Sequence, residues 1–139
     1  MRTLNMFLLA VLLLSCQHNS MSPETQDGAL KSGTQLQIDL QQGFAGKYVR
    51  VELNDEVQFR AWFSNIVSLA GPEATFTSYT SEKKNRITVF WRCANPNDCG
   101  NVQDSEEINL GNLEKYYIGI AVSGDSIILV VQDTPFLYL

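Results

Sequence analysis

Charge is scarce in this chain, histidine is almost absent, and no helical period runs for any length. Asp, Glu, Lys and Arg make up 18% of the 139 residues, below the roughly one-quarter usual in soluble domains, while 45% are apolar. That is a folding composition and excludes a disordered chain. Ten Lys and Arg stand against 15 Asp and Glu, with no basic cluster, and the formal charge of −5 repels phosphate backbones, so nucleic acid is not an expected partner. The one histidine, His18, stands in a polar stretch where no rigid scaffold can hold a base. Its position removes histidine-dependent triads and histidine-ligated zinc or copper from consideration. No segment of ten or more residues spaces its apolar positions by 3.6 with capping signals, so helix is expected to be absent or limited to a turn near 65–71. Two carboxylate pairs are present, Asp55 with Glu56 and Glu106 with Glu107. Neighbours on a strand point to opposite faces, so neither pair is expected to converge on a substrate, and the chain is not expected to be an enzyme.

What is present begins at the N-terminus. Arg2 is followed by nine apolar residues at 6–14 and then by Ser15 and Cys16. A charged start, a short apolar run and a small residue at the cut form a secretory leader that is too short to span a bilayer. Leu13-Leu14-Ser15-Cys16 resembles the lipobox of bacterial lipoproteins, with Leu14 standing where a smaller residue is more usual. The resemblance implies removal of residues 1–15, lipidation of Cys16 and attachment to a membrane. A diacylglycerol and an amide-linked acyl chain bury many methylenes at about 0.8 kcal/mol each, more than one reversible acyl chain supplies. Gln17 stands where aspartate marks inner-membrane retention in that family, and no acidic run follows Cys16. The resemblance therefore implies an outer-membrane position facing the periplasm. Without Arg2, nine basic groups face 15 acidic ones, and the mature side chains carry about −6.

Three cysteines form an odd set. If Cys16 carries lipid, Cys93 and Cys99 remain as a pair in an oxidising compartment, and a disulfide between them closes a loop of about seven residues, worth roughly 2 kcal/mol. A thiol-redox site is the competing reading, but five intervening residues and the lack of a βαβ pattern speak against it.

Residues 16–33 are polar, with little apolar periodicity, and read as a flexible tether whose r.m.s. span is on the order of 20 to 25 Å. From 34 to 139 the pattern is that of strands. Leu36, Ile38 and Leu40 alternate with polar residues, as do Val49, Val51 and Leu53. Val57, Phe59, Ala61 and Phe63 follow, with Gln58, Arg60 and Trp62 on the other face, and Asn54-Asp55 suits a tight hairpin between these two runs. Further strands are expected at 74–79, 86–92, 107–110, 116–122, 127–132 and 136–139, with a turn at Ser123-Gly124-Asp125. The near-continuous apolar runs 116–122 and 126–131 read as central strands covered on both faces, and 136–139 as a docked terminal strand. Eight or nine short strands imply an all-β, antiparallel β-sandwich, immunoglobulin-like or jelly-roll-like, with a small closed β-barrel as the alternative.

Two constellations carry possible chemistry. Residues 95–106 have the length of a calcium-binding EF-hand loop, with Asn95, Asn97, Gly100 and Glu106 at ligand or turn positions, although Pro96 and Cys99 interrupt it. A looser calcium site would use Asp98, Asp104 and Glu106; a polar, disulfide-stapled loop needing no cofactor is the competing reading. The second constellation is aromatic: Trp62 lies out of phase with the apolar positions of its strand, Tyr79, Phe90 and Trp91 flank the stapled loop, and a surface Trp62 beside Arg60 and Arg92 would make a recognition patch. Exposed rings stack on sugars or anchor protein interfaces, whereas a buried tryptophan fills the space between sheets. The expected function is that of a lipid-anchored, non-catalytic cell-envelope lipoprotein that binds an envelope protein or serves a structural role there. The alternative is a carbohydrate-binding module using Trp62, Tyr79 and Trp91.

Overall fold

The computed structural model describes residues 32–66, 70–95, 97 and 100–139. The leader, Cys16, Asp98, Cys99 and nearly all of the expected tether lie outside the described residues. The first strand among the described residues opens at Thr34.

The described residues form eight strands: β1 (Thr34–Gln42), β2 (Lys47–Leu53), β3 (Glu56–Trp62), β4 (Ala74–Thr80), β5 (Lys84–Cys93), β6 (Asn101–Asn109), β7 (Lys115–Ser123) and β8 (Ser126–Gln132). They form two four-stranded sheets, ordered β4-β1-β7-β8 and β3-β2-β5-β6. All neighbours are antiparallel except β1 and β7, which run parallel, Gln35 opposite Lys115 and Ile38 opposite Ile118. The two sheets pack on each other as a β-sandwich and do not close into a barrel. Among the described residues there is no helix.

Alternation decides what lies between the sheets. Leu36, Ile38, Leu40, Ile118, Ile120 and Val122 point inward from the first sheet, and Val49, Val51, Leu53, Ile87, Val89 and Trp91 from the second. The open sides are sealed differently. Phe59 of β3 stacks on Phe76 of β4 at 4.9 Å and 14°, while on the other side Asp104 of β6 accepts the Ile127 N–H of β8 at 2.9 Å. At one end of the sandwich Asn85, 1% exposed, has both side-chain polar atoms hydrogen-bonded. Its Oδ1 accepts from Asn54 Nδ2 at 2.8 Å and from Thr80 Oγ1 at 2.6 Å, and its Nδ2 donates to the Glu82 carbonyl at 2.8 Å. Asn54 and Asp55 take φ of 52° and 68°, as the two-residue turn between β2 and β3 requires.

Four details depart from the sequence reading. A β-bulge at Val51/Glu52 shifts the β2–β3 register, so Val57 faces outward opposite Glu52 and is 46% exposed, while Gln58 turns inward to accept from Ser78 Oγ at 2.7 Å. Strand β6 starts at Asn101, well before 107, because it is an edge strand whose inward positions include the polar Asp104 and Glu106 and so lacks the apolar alternation. Strand β8 is an edge strand and is not covered on both faces: Ile128 and Val130 remain 51% and 42% exposed.

Residues 136–139 form no strand and dock through two rings. A Cβ on Gly119 would come within 2.8 Å of Phe136 Cζ, so only glycine leaves room for that ring. Tyr138 donates its hydroxyl to Asp39 Oδ2 at 2.7 Å, and Thr75 Oγ1 donates to Asp39 Oδ1 at 2.9 Å, which satisfies a carboxylate only 4% exposed. Burial first, and then the bond to Asp39, push the Tyr138 phenol from its ordinary 10.0 up to about 12.

Tyr138→Phe leaves the buried Asp39 short of one donor and is expected to cost about 1–3 kcal/mol in denaturant unfolding. Leu137 and Leu139 are exposed, so deleting residues 136–139 removes the Phe136 packing and the Tyr138 bond and is expected to lower the melting temperature without abolishing soluble expression; a deletion that melts like the parent refutes the docking. Because the Tyr138 pKa is raised on folding, its contribution is complete below pH 10 and is lost as the pH rises through about 12, which thermal melts across that window check.

Candidate functional site

The outer face of the second sheet carries an ordered grid. The inward direction of Val49 and Val51 forces Tyr48, Arg50 and Glu52 of β2 outward. Tyr48 stands between Trp62 of β3 and Arg92 of β5, and Arg50 stands between Arg60 of β3 and Phe90 of β5. Rings and guanidinium groups therefore alternate along each of the three strands, Trp62 with Arg60, Tyr48 with Arg50 and Arg92 with Phe90. The Tyr48 and Trp62 centroids are 5.4 Å apart, and those of Tyr48 and Phe90 6.4 Å. Arg92 lies over Tyr48 at 5.2 Å and over Trp62 at 5.4 Å, and Arg50 over Phe90 at 5.1 Å. Such contacts hold the guanidinium planes in place without neutralising their charge. Trp62 is 54% exposed at the rim.

The charges on this face are unevenly compensated. Arg50 Nε lies 2.9 Å from Glu52 Oε1, close enough for an ion pair but not aligned as a hydrogen bond, and that nitrogen has no hydrogen-bond partner. Among the described residues, neither Arg60 nor Arg92 joins a salt bridge. Toward the other end of the face the cations are matched, Arg86 to Asp55 at 2.7 Å and Lys84 to Glu107 at 2.8 Å. Arg50 and Arg60 are directly opposite on adjacent strands, an arrangement that destabilises a sheet unless something else uses it.

The three aromatic residues singled out in the sequence do not converge. Trp62 belongs to the grid. Tyr79 is 38% exposed on β4, opposite Gln35, in the other sheet. Trp91 is 1% exposed and fills the core, because its neighbours Arg92 and Phe90 take the outward positions of β5; it is a packing residue and not a ligand contact. Phe90, Arg60 and Arg92 already figure beside Trp62 in the sequence reading, and the grid members it leaves out are Tyr48 and Arg50. The alternation that marks Trp62 applies equally to them.

The calcium reading loses its loop. Residues 101–106 belong to β6, paired with β5 from Asn101 opposite Arg92 to Glu106 opposite Ile87, so the chain cannot wrap a cation as an EF-hand loop does. Asp104 uses one carboxylate oxygen on the Ser105 N–H and the other on the Ile127 N–H, Glu106 is exposed, and Asp98 lies outside the described residues. No group of three or more possible ligands occurs among the described residues. Cys93 stands at the end of β5, and Cys99 lies outside the described residues. A cavity of about 500 Å³ lined by Gly33, Thr34, Thr80, Lys83, Leu110 and Asn112 sits where the chain enters β1. Lys83 Nζ and Asn112 Oδ1 are bonded to each other there at 2.8 Å.

The two tryptophans give opposite expectations. Trp91→Ala is expected to cost about 3–5 kcal/mol in denaturant unfolding, and Trp62→Ala within about 1 kcal/mol of nothing, because only the first opens a cavity. Equal losses would contradict the assignment of Trp91 to the core and Trp62 to the surface. No protein-family model, curated protein or solved structure matches this chain.

Proposed function

We propose that the chain is an exported, lipid-anchored, non-catalytic binding module of the bacterial cell envelope, and that it engages an envelope protein through the outer face of the second sheet. The observation that carries this reading is Trp62, more than half exposed and braced by Tyr48 and Arg92. Trp, Tyr and Arg are the residues that concentrate binding energy at protein interfaces, and rings held in place lose little freedom on binding.

The topology supports display away from a membrane. A tether from a lipidated Cys16 would enter at Thr34, and β1 then runs nine residues, about 30 Å at 3.3 Å each, before the chain turns into Lys47 and Tyr48. Trp62 and Arg92 flank Tyr48, so the grid lies at the end remote from the tether. A Cys93–Cys99 disulfide would staple the segment that follows Arg92, next to the grid. The module needs no cofactor for such a role. The lipobox resemblance and Gln17 favour the outer membrane, facing the periplasm.

A carbohydrate ligand is the second reading, favoured by the exposed Trp62 ring, which offers a flat apolar face to a sugar. Mass spectrometry of the mature protein is expected to find Cys16 as an N-terminal residue carrying a diacylglycerol and an acyl chain; an intact leader or an unmodified terminus overturns the anchored reading. Capture from envelope lysate by the wild type and its loss with Trp62→Ala, beside a glycan array, is the second test. Retention by sugars alone sinks the protein-partner reading.

A further inference from the structure

From the charge pattern of the grid we infer that the occupant of this face is a short acidic segment of a partner protein, carrying two or three carboxylates spaced around an apolar side chain. This inference rests on the recognition face proposed above and names its partner's chemistry.

Three observations lead to it. First, the chain has 15 acidic and 10 basic residues, yet three of its arginines, Arg50, Arg60 and Arg92, share one end of one sheet face with Glu52 as the carboxylate beside them. Second, Arg50 and Arg60 face each other directly across β2 and β3. Like charges so placed weaken the sheet, and a carboxylate set between them turns repulsion into two charge-assisted contacts, so the arrangement is stabilised by a ligand and penalised without one. Third, Trp62, Tyr48 and Phe90 alternate with these cations and provide apolar surface between the points of charge recognition. A ligand matching this pattern has carboxylates a few ångströms apart with hydrocarbon between them, as acidic side chains flanking an apolar one provide.

The rest of the face sets the length of the anionic determinant. Along β2 the arginine pair gives way to Glu52, and farther on Asp55 and Glu107 appear, already paired with Arg86 and Lys84. A continuous polyanion lying along the strands would leave the arginines within a few residues and run against these carboxylates, separated from them by less than a Debye length of about 8 Å at physiological salt. Attraction is therefore confined to one end of the face. This favours a short acidic peptide segment over a nucleic acid strand or a uniformly charged polysaccharide.

The test selects from a random-peptide display library on the full mature protein and measures the winning peptides by fluorescence anisotropy. Winners are expected to hold two or three Asp or Glu within a short segment beside a Leu, Pro or aromatic residue. They are expected to bind Arg60→Gln about tenfold more weakly than wild type, and to lose affinity steeply between low and physiological salt. Arg60→Lys is expected to keep most of the binding. In the same experiment Arg60→Gln should melt at or above the wild-type temperature, because it removes the repulsion from Arg50. An arginine kept for structural reasons would lower it.

Neutral or basic winners, no winners, or winners indifferent to Arg60→Gln overturn the inference. So do a lowered melting temperature for that variant and tighter Arg60-dependent binding of oligo-dT or polygalacturonate than of any peptide. Neutral winners that are lost with Trp62→Ala remove the acidic partner and leave the recognition face standing. Winners that bind Trp62→Ala as well as wild type remove the face itself.

Discussion

The period of two along each strand, combined with one face of every strand being needed for the core, is the constraint on which the rest of this molecule depends. Once Val49, Val51 and Leu53 are committed to the interior, Tyr48, Arg50 and Glu52 have no choice but to face solvent. The same holds for Phe90 and Arg92 against Val89 and Trp91. The surface grid is thus fixed by the core beneath it, since a one-residue slip of β2 or β5 would bury arginines and expose Val51 or Trp91. Hydrophobic burial, which carries no directional information of its own, is converted by strand geometry into an ordered array of rings and charges.

Polar contacts serve a different purpose in the same framework. Asn85 ties the β2–β3 turn to the end of β4, Asp104 reaches from one sheet to the start of β8 in the other, and Asp39 is held between Thr75 and Tyr138. Each is a buried or half-buried group whose capacity is filled by neighbours, and each links segments distant in sequence. They specify how the sheets and the final residues sit, while the apolar interior supplies the bulk of the stability. Asp104 has a second effect: its charge occupies an N–H at the start of β8, the edge strand with the most exposed apolar residues.

Much of this fold was legible in the sequence, and the parts that were not share a physical origin. Strands β1, β2, β4, β5 and β7 were readable because each buries one face against a partner sheet, and the Asn54-Asp55 turn was readable because few residues adopt positive φ at two successive positions. The bulge at Val51/Glu52 was not, since an extra residue in one strand leaves the local pattern intact and shows only in the pairing that puts Val57 outside and Gln58 inside. Strand β6 escaped because its inward Asp104 and Glu106 read as loop. Strand β8 reads as a central strand because composition cannot say whether a β-branched run has neighbours on one side or two. At the candidate site, Trp62 was found from its phase. Phe90, Arg60 and Arg92 stand beside it in that reading, while Tyr48 and Arg50, which join them into one grid, required the order β3-β2-β5, a property of topology and not of any one segment.

The parallel pairing of β1 with β7 bears on how the molecule comes into being. The strand nearest the N-terminus occupies an inner position of its sheet, and its parallel neighbour is the second to last strand of the chain. A polypeptide emerging N-terminus first, from a ribosome or through a translocation channel, can form hairpins of the second sheet early. It cannot complete the first sheet until Lys115–Ser123 has appeared. Contacts so distant in sequence make for slow closure, and they keep the nascent chain from locking prematurely. Passage across a membrane in an extended form is thereby compatible with a compact product on the far side.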